Sequence, residues 1–210
     1  MTPIQSPVNR PGGFMITDRA FGFCSFKAGS KILDIGCGSG ATVKYLKNCY
    51  NLDSYGLDII SDFIDTSSGL IRATAEEIPF PAASFDGALL ECSLSVMDNQ
   101  AAVLKECDRI LKSDGRLIIS DMYARGEPVR LQGCLKHLHT KEYLISLLEE
   151  CGFSVELFED HTYHLQTMWG QLIIEQGAKA FYCSVGADPA TMKRVKCGYF
   201  LIVARKRRNP

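Results

Sequence analysis

The segment Lys31–Ile35 is a five-residue apolar run that opens into Gly36, Gly38 and Gly40. A run this short, closed by glycines, reads as a strand buried on both faces and therefore as part of a parallel sheet. The theme repeats along the chain. Residues after Gly40 read as helix, and residues 54–57, 70–73, 85–90 and 115–120 read as strands. A short helix is expected at 60–65 and a longer one at 101–111, where Val103, Cys107, Ile110 and Leu111 share a face. Thr140 is placed to cap a further helix whose Tyr143, Leu144, Leu147, Leu148 and Cys151 share a face until Gly152 stops it. Strands at 154–158 and 198–204 bring the total to seven. Alternating β and α segments with short connections predict an α/β chain, a doubly wound parallel sheet with helices on both faces.

Two stretches stand outside that alternation. The N-terminus carries Pro3, Pro7 and Pro11 and then Gly12 and Gly13, which excludes regular structure there, while Thr17 and Asp18 are expected to cap a short helix reaching about Cys24. Residues 1–26 are thus an arm leading into the core. The 37 residues from 161 to 197 are too many for a turn and predict a helical insertion between strands six and seven. Within it Leu165, Met168, Trp169, Leu172 and Ile173 fall on one helical face, which suits either a packing helix or a cover over a pocket. No repeat or low-complexity linker divides the sequence, so residues 1–210 read as one domain.

Composition narrows the function. Hydrophobic residues make up 46% and charged residues 22%, which disfavours disorder and coiled coil. The formal charge of −1 gives no reason to expect a polyanionic partner, and the basic run Arg205–Arg208 reads as a solvated end; nucleic acid is not an expected partner. Apolar stretches are far shorter than the ~18 residues of a membrane span. The first residues lack an apolar secretory segment, so the expected location is cytoplasmic. Nine cysteines without a C-x-x-C pair argue against a disulfide framework and against a zinc ribbon, and no metal is expected. His137 with His139, and His161 with His164, lack the neighbouring ligands a metal would need and read as surface residues.

Open parallel sheets bind ligands beyond the carboxyl ends of their strands, which directs attention to the loops after strands one to four. The first of these runs from Asp34 to Gly40. Gly36, Gly38 and Ala41 satisfy a dinucleotide-binding pattern, and Asp58 lies 22 residues beyond Gly36, near the ~20 expected of a ribose-binding acid. On these residues alone an NAD-dependent oxidoreductase stays open.

The wider run is more specific. KAGSKILDIGCGSGATVKYL, YGLDIISDFI, ATAEEIPFPAASFDGALLECSLSVMDN and VLKECDRILKSDGRLIISDMY together resemble the class I S-adenosylmethionine-dependent methyltransferases, especially the ubiquinone/menaquinone branch, from about Lys27 to Asp121. The resemblance implies a Rossmann-like seven-stranded sheet with its last strand antiparallel, S-adenosylmethionine as cofactor and a small-molecule acceptor. It implies a cofactor site made by Asp34, Gly36, Cys37, Gly38, Gly40, Asp58, Ile59, Thr74, Ala75, Glu76, Glu91 and Cys92. Asp34 would lie near the methionine amino end, Asp58 would accept from the ribose hydroxyls, and Glu91, Cys92 and Ser93 would lie beside the transferred methyl. Thr74 stands where the family often has the aspartate that meets the adenine amine, and backbone groups of Ala75 are expected to share that contact.

On the acceptor side, Asp121, Tyr123, His137 and His139 follow strand five, and the arm around Arg10–Thr17 is placed to close over the site. ECSLSVMDN is also similar to a stretch of arsenite methyltransferases that carries a metalloid-binding cysteine, with Cys134 at a second such position and Cys24 a loose third. Soft trivalent arsenic prefers thiolates, which would give Cys92 and Cys134 a chemical purpose; no catalytic residue is assigned, and Cys92, Cys134 and His139 are the acceptor-side candidates. A cofactor-binding module without turnover is the remaining alternative.

Overall fold

The structure, a computed structural model, describes residues 8–60, 68–131 and 135–208. Strands β1 (Lys31–Ile35), β2 (Asp53–Asp58), β3 (Leu70–Arg72), β4 (Phe85–Glu91) and β5 (Leu111–Ala124) pair in parallel. A short antiparallel ladder, β6 (Val129–Arg130) with β7 (His137–Leu138), precedes β8 (Phe153–Asp160) and β9 (Cys197–Lys206). The main sheet has seven strands in the order β3-β2-β1-β4-β5-β9-β8. β9 runs antiparallel to both β5 and β8, so the expected single reversal is present. The order changes direction between β1 and β4, and there the loops after the strands diverge and leave a crevice.

Alternation along the strands sends side chains to two cores. Leu33 and Ile35, Ala88 and Leu90, and Leu117 and Ile119 face one side, where α3 (Gln100–Ile110) and α4 (Lys141–Glu150) lay Val103, Leu104, Cys107, Leu144 and Leu148 against them. Ile32, Leu89 and Ile118 face the other, under α1 (Phe14–Cys24), α2 (Ala41–Tyr50), α5 (Thr162–Gln176), α6 (Ala178–Val185) and α7 (Pro189–Val195). Asn99 caps α3 by accepting from Ala102 N at 3.1 Å, and Thr140 caps α4 by accepting from Tyr143 N at 3.4 Å.

The structure corrects several expectations. Thr17 and Asp18 do not cap the first helix, which begins three residues earlier at Phe14 after Gly13. Thr17 is buried inside α1, where its hydroxyl is committed to a long-range contact described below. The basic run at the C-terminal end is not simply solvated, because β9 carries it along neighbouring acceptors. Arg205 pairs with Glu156, the Lys206 ammonium donates to the Asp108 and Leu111 carbonyls, and Arg208 pairs with Asp114. The amphipathic face in α5 packs onto β9, with Leu165 fully buried and Trp169 against Phe181 of α6 at 5.3 Å between ring centroids. The expected helix at 60–65 falls largely outside the described residues, as does Cys134.

Candidate functional site

A cavity of about 370 Å³ opens at the switch point, within the roughly 300–1,000 Å³ typical of small-molecule sites. Its walls come from the ends of four parallel strands: Gly36 after β1, Asp58, Ile59 and Ile60 after β2, Ala73 to Glu76 after β3, and Cys92 and Ser93 after β4. Val96, Met97, Asp98 and Lys136 complete it. Four separated stretches of sequence meet here because each strand stops at the same edge of one sheet.

The floor is fixed by backbone. Gly36 has φ +78°, and a Cβ built on it would lie 2.6 Å from the Ser93 Cβ, so no other residue fits that turn unchanged. Ser93 donates to the Ile35 carbonyl at 2.8 Å and closes β1 against β4. Gly36 N and Cys37 N both donate to the Leu57 carbonyl, at 2.7 and 3.1 Å. By contrast, a Cβ on Gly38 would meet nothing within 4 Å, so the chain leaves open space over that peptide.

Asp58 is 8% exposed and holds both flanking loops. Its Oδ2 accepts from Gly38 N at 2.8 Å and its Oδ1 from Ile60 N at 2.9 Å. Each carboxylate oxygen retains a second acceptor lobe. Beside it Ile59 and Ile60 are 62% and 49% exposed, an apolar pair at the cavity wall that suits the face of a flat ring. Thr74 and Glu76 are exposed on the opposite wall, with Ala75 buried between them.

That third loop is held by a pair which sequence reasoning missed. Arg109 of α3 donates to the Ile78 and Phe80 carbonyls at 2.8 and 2.7 Å, while Glu106 accepts from Ile78 N at 2.8 Å and pairs with Arg109. The Arg109 contact holds the Glu106 carboxyl below its usual range. Both residues lie one turn apart on a helix far along the chain, and only the fold shows that they grip this loop.

Asp34 and Glu91 end β1 and β4 beneath the crevice. Asp34 is 3% exposed, and among the described residues its carboxylate accepts no hydrogen bond. Burial first, and then the neighbouring Glu91 charge, push its pKa well above the usual range. Glu91 does not line the cavity. Its Oε2 pairs with Arg10 at 2.7 Å and accepts from Thr42 at 3.0 Å, and its Oε1 accepts from Thr17 at 2.7 Å. Arg10 in turn donates to Thr42 and Thr17, so the N-terminal arm is latched across the ends of β4 and α2.

A carboxyl whose folded pKa is raised adds stability below its unfolded value and loses it as pH rises through the folded value. Asp34→Asn is therefore expected to raise the thermal midpoint of the ligand-free protein at neutral pH, with a gain that vanishes toward pH 4. Midpoints followed from pH 4 to 8 check this, and a midpoint that falls at pH 7 would exclude it.

The remaining expected residues divide. Cys37 turns its thiol away from the cavity, where the Sγ sits 2.6 Å from a Cβ built on Gly56, and the space left by that glycine accommodates it. Burial pushes its pKa up to about 12. Gly40 lies at the N-terminus of α2 and does not line the cavity. Cys92 lines it through a strained turn, φ +54°, but its thiol lies 3.2 Å from Tyr199 Oη, which donates to Ser120 Oγ. Burial pushes the Cys92 pKa up to about 12, which disfavours the thiolate that a metalloid would require.

His139 stacks on Tyr143 at 4.1 Å between ring centroids and does not line the cavity. Asp121 is buried, accepting from Ser95 N and Oγ at 2.8 Å each, and Tyr123 donates to Asp160 at 2.7 Å. Among the described residues no cluster of His, Cys, Asp and Glu could hold a metal, and no helix is long and apolar enough to cross a membrane.

Comparison with known proteins gives this geometry its context. Residues 33–119 match the methyltransferase domain family. The chain is 31% identical to the O-methyltransferase rstn1 of Aspergillus nomiae over 63% of this chain and 68% of that one. It is 26% identical to the 27-O-demethylrifamycin SV methyltransferase of Amycolatopsis mediterranei over 91% of this chain and 82% of that one. In fold it resembles the solved phosphoethanolamine N-methyltransferase 2 of Haemonchus contortus in complex with S-adenosyl-L-methionine, with a TM-score of 0.75 at 16% identity over 95% of this chain and 54% of that one. The protein belongs to the class I S-adenosylmethionine-dependent methyltransferases, and S-adenosylmethionine is its cofactor.

Proposed function

We propose that this chain transfers the methyl group of S-adenosylmethionine to a small-molecule acceptor, as one cytoplasmic domain of residues 1–210. The observation that carries the reading is the cavity walled by the carboxyl ends of β1 to β4, with Asp58 at its base and open space over Gly38. The small-molecule part rests on relatives whose names describe methylation of 27-O-demethylrifamycin SV and of sarcosine and dimethylglycine.

In this reading Asp58 accepts from the ribose hydroxyls, Ile59 and Ile60 cover one face of the adenine, and Thr74, Ala75 and Glu76 bound its edge. The unpartnered Asp34 faces the ammonium of the methionine end, which supplies the positive charge that burial of Asp34 and Glu91 leaves wanting. Gly36 and Gly38 contribute backbone to the same seat, and Cys37 and Gly40 close the turn behind it through the Gly40 N to Cys37 carbonyl hydrogen bond. The bound cofactor supplies a methyl group on a cationic sulfur, and an in-line displacement needs chiefly alignment and exclusion of water. Cys92 and Ser93 form the wall on the acceptor side. The latch of Arg10 to Glu91 holds the described part of the N-terminal arm, from residue 8 to 26, over the cofactor end, and the insertion 161–197 buttresses β9 beneath the acceptor side.

Titration calorimetry of ligand-free protein with S-adenosylhomocysteine and with NAD tests the cofactor assignment. Micromolar binding of the first alone is expected; binding of NAD alone would overturn the reading. Transfer of radiolabelled methyl groups to a panel of small amines, phenols and alcohols then tests the acceptor class, and labelling of protein or nucleic acid only would reject it.

A further inference from the structure

Among the described residues, Lys136 is the one cationic side chain on the cavity wall. It reaches the wall from the β6–β7 ladder, whose roots are fixed in the core by Leu131, Leu135 and Leu138, the last fully buried. In that ladder Arg130 pairs across from His137, next to Lys136. Both cations turn to one carboxylate. Lys136 Nζ lies 3.3 and 3.4 Å from the two Asp98 oxygens, and Arg130 lies 4.0 Å from Asp98. Two positive charges thus share a single negative one. His137 adds no third cation, since burial first and then the Arg130 charge lower its pKa.

The cavity is accordingly polarised. Asp58 and Glu76 place carboxylates on the walls after β2 and β3, while on the remaining wall Lys136 stands against Asp98, and Arg130, outside the lining itself, adds a second cation next to the same carboxylate. Asp98 is 70% exposed and Arg130 74% exposed, and ion pairs this accessible to water contribute little to stability. They are therefore easily exchanged. Asp98 nonetheless draws Arg130 toward the wall that Lys136 lines, so that an incoming anion finds the two cations already converged on one carboxylate position.

From this arrangement we infer that the acceptor carries an anionic group, a phosphate or a carboxylate, and that Lys136 and Arg130 bind it by exchanging it for Asp98. The inference deepens the reading of the site as a methyltransferase and rests on it. It makes the ladder a specificity-determining element: Lys136 and Arg130 fix one end of the acceptor while its nucleophile is presented at the wall formed by Cys92 and Ser93.

The test uses the full chain saturated with S-adenosylhomocysteine, with saturation verified by calorimetry, and titrates inorganic phosphate and acetate separately. Millimolar or tighter binding of one anion is expected, weakened at least tenfold in Lys136→Gln/Arg130→Gln and weakened again by raised ionic strength. Asp98→Asn should tighten it several-fold, an opposite change that simple loss of folding would not produce. Phosphate binding alone points to a phosphorylated acceptor, and acetate binding alone to a carboxylated one. If neither anion binds, or if the double variant binds as wild type does, the inference is wrong. It is equally wrong if the double variant loses S-adenosylhomocysteine while no anion binds the wild type, because the cations then hold the cofactor itself. Failure of the wild type to bind S-adenosylhomocysteine strikes instead at the methyltransferase reading.

Discussion

Arg10→Ala is expected to lower the unfolding free energy by about 3 kcal/mol at neutral pH, the scale seen when one member of a buried ion pair is removed. The side chains of Arg10 and Glu91 are only 10% and 4% exposed, so water cannot substitute for the lost cation. Removing Arg10 leaves Glu91 and Asp34 as neighbouring buried carboxylates with two threonine hydroxyls between α1, α2 and β4 as the remaining partners of Glu91. Burial already raises the Glu91 pKa, and the Arg10 charge opposes that rise. Without Arg10 the pKa climbs further, and stability carried by a raised carboxyl is lost as pH increases through it. The deficit should accordingly be largest near pH 8 and shrink toward the ordinary glutamate range. Urea denaturation at pH 5 and pH 8 measures both. A deficit that is equal at the two values would show that the arm is held by contacts other than its charge.

For Asp58→Ala the expected result is a ten- to hundredfold loss of S-adenosylhomocysteine affinity, corresponding to about 1.5–3 kcal/mol for a hydrogen bond to a charged group. The carboxylate has two tasks that alanine cannot perform. It would accept from the ribose, and it already ties Gly38 N and Ile60 N into one seat, so the variant loses the contact and the alignment of the loops around it. Calorimetry on the variant, with its thermal midpoint as a check on folding, separates these from global unfolding. Affinity within twofold of wild type in a folded variant would remove Asp58 from the cofactor site.

What the sequence made legible follows from the range of the forces involved. The glycine-bounded run at Lys31–Ile35, the Thr140 cap and the helical face of Leu144, Leu147 and Leu148 are local patterns, and each element formed where its pattern lies. Motif order likewise placed Gly36, Asp58, Ile59, Thr74, Ala75, Glu76 and Cys92 on one cavity, because loops at the same ends of parallel strands must converge. Side-chain direction was not legible. Cys37 and Glu91 lie in the right segments, yet one thiol packs against Gly56 and the other side chain is taken up by Arg10, Thr17 and Thr42. Nor could spacing reveal Arg109 gripping the third loop or Lys136 and Asp98 on the wall, since those contacts join residues about 30 or more positions apart. Thr17 misled because a threonine before a helical pattern is a good cap by type, and its burial against Glu91 depends on a strand 74 residues away.

The position of β9 has a bearing on how the protein is made. This strand is translated after every other strand of the sheet, yet it sits between β5 and β8, and β8 joins the sheet only through it. Until the ribosome has released residues 197–206, β8 has no partner and the long β5 presents an open apolar edge. Nascent chains stalled before that point should be prone to aggregate through β5, and chaperone engagement should end once β9 slots into the gap.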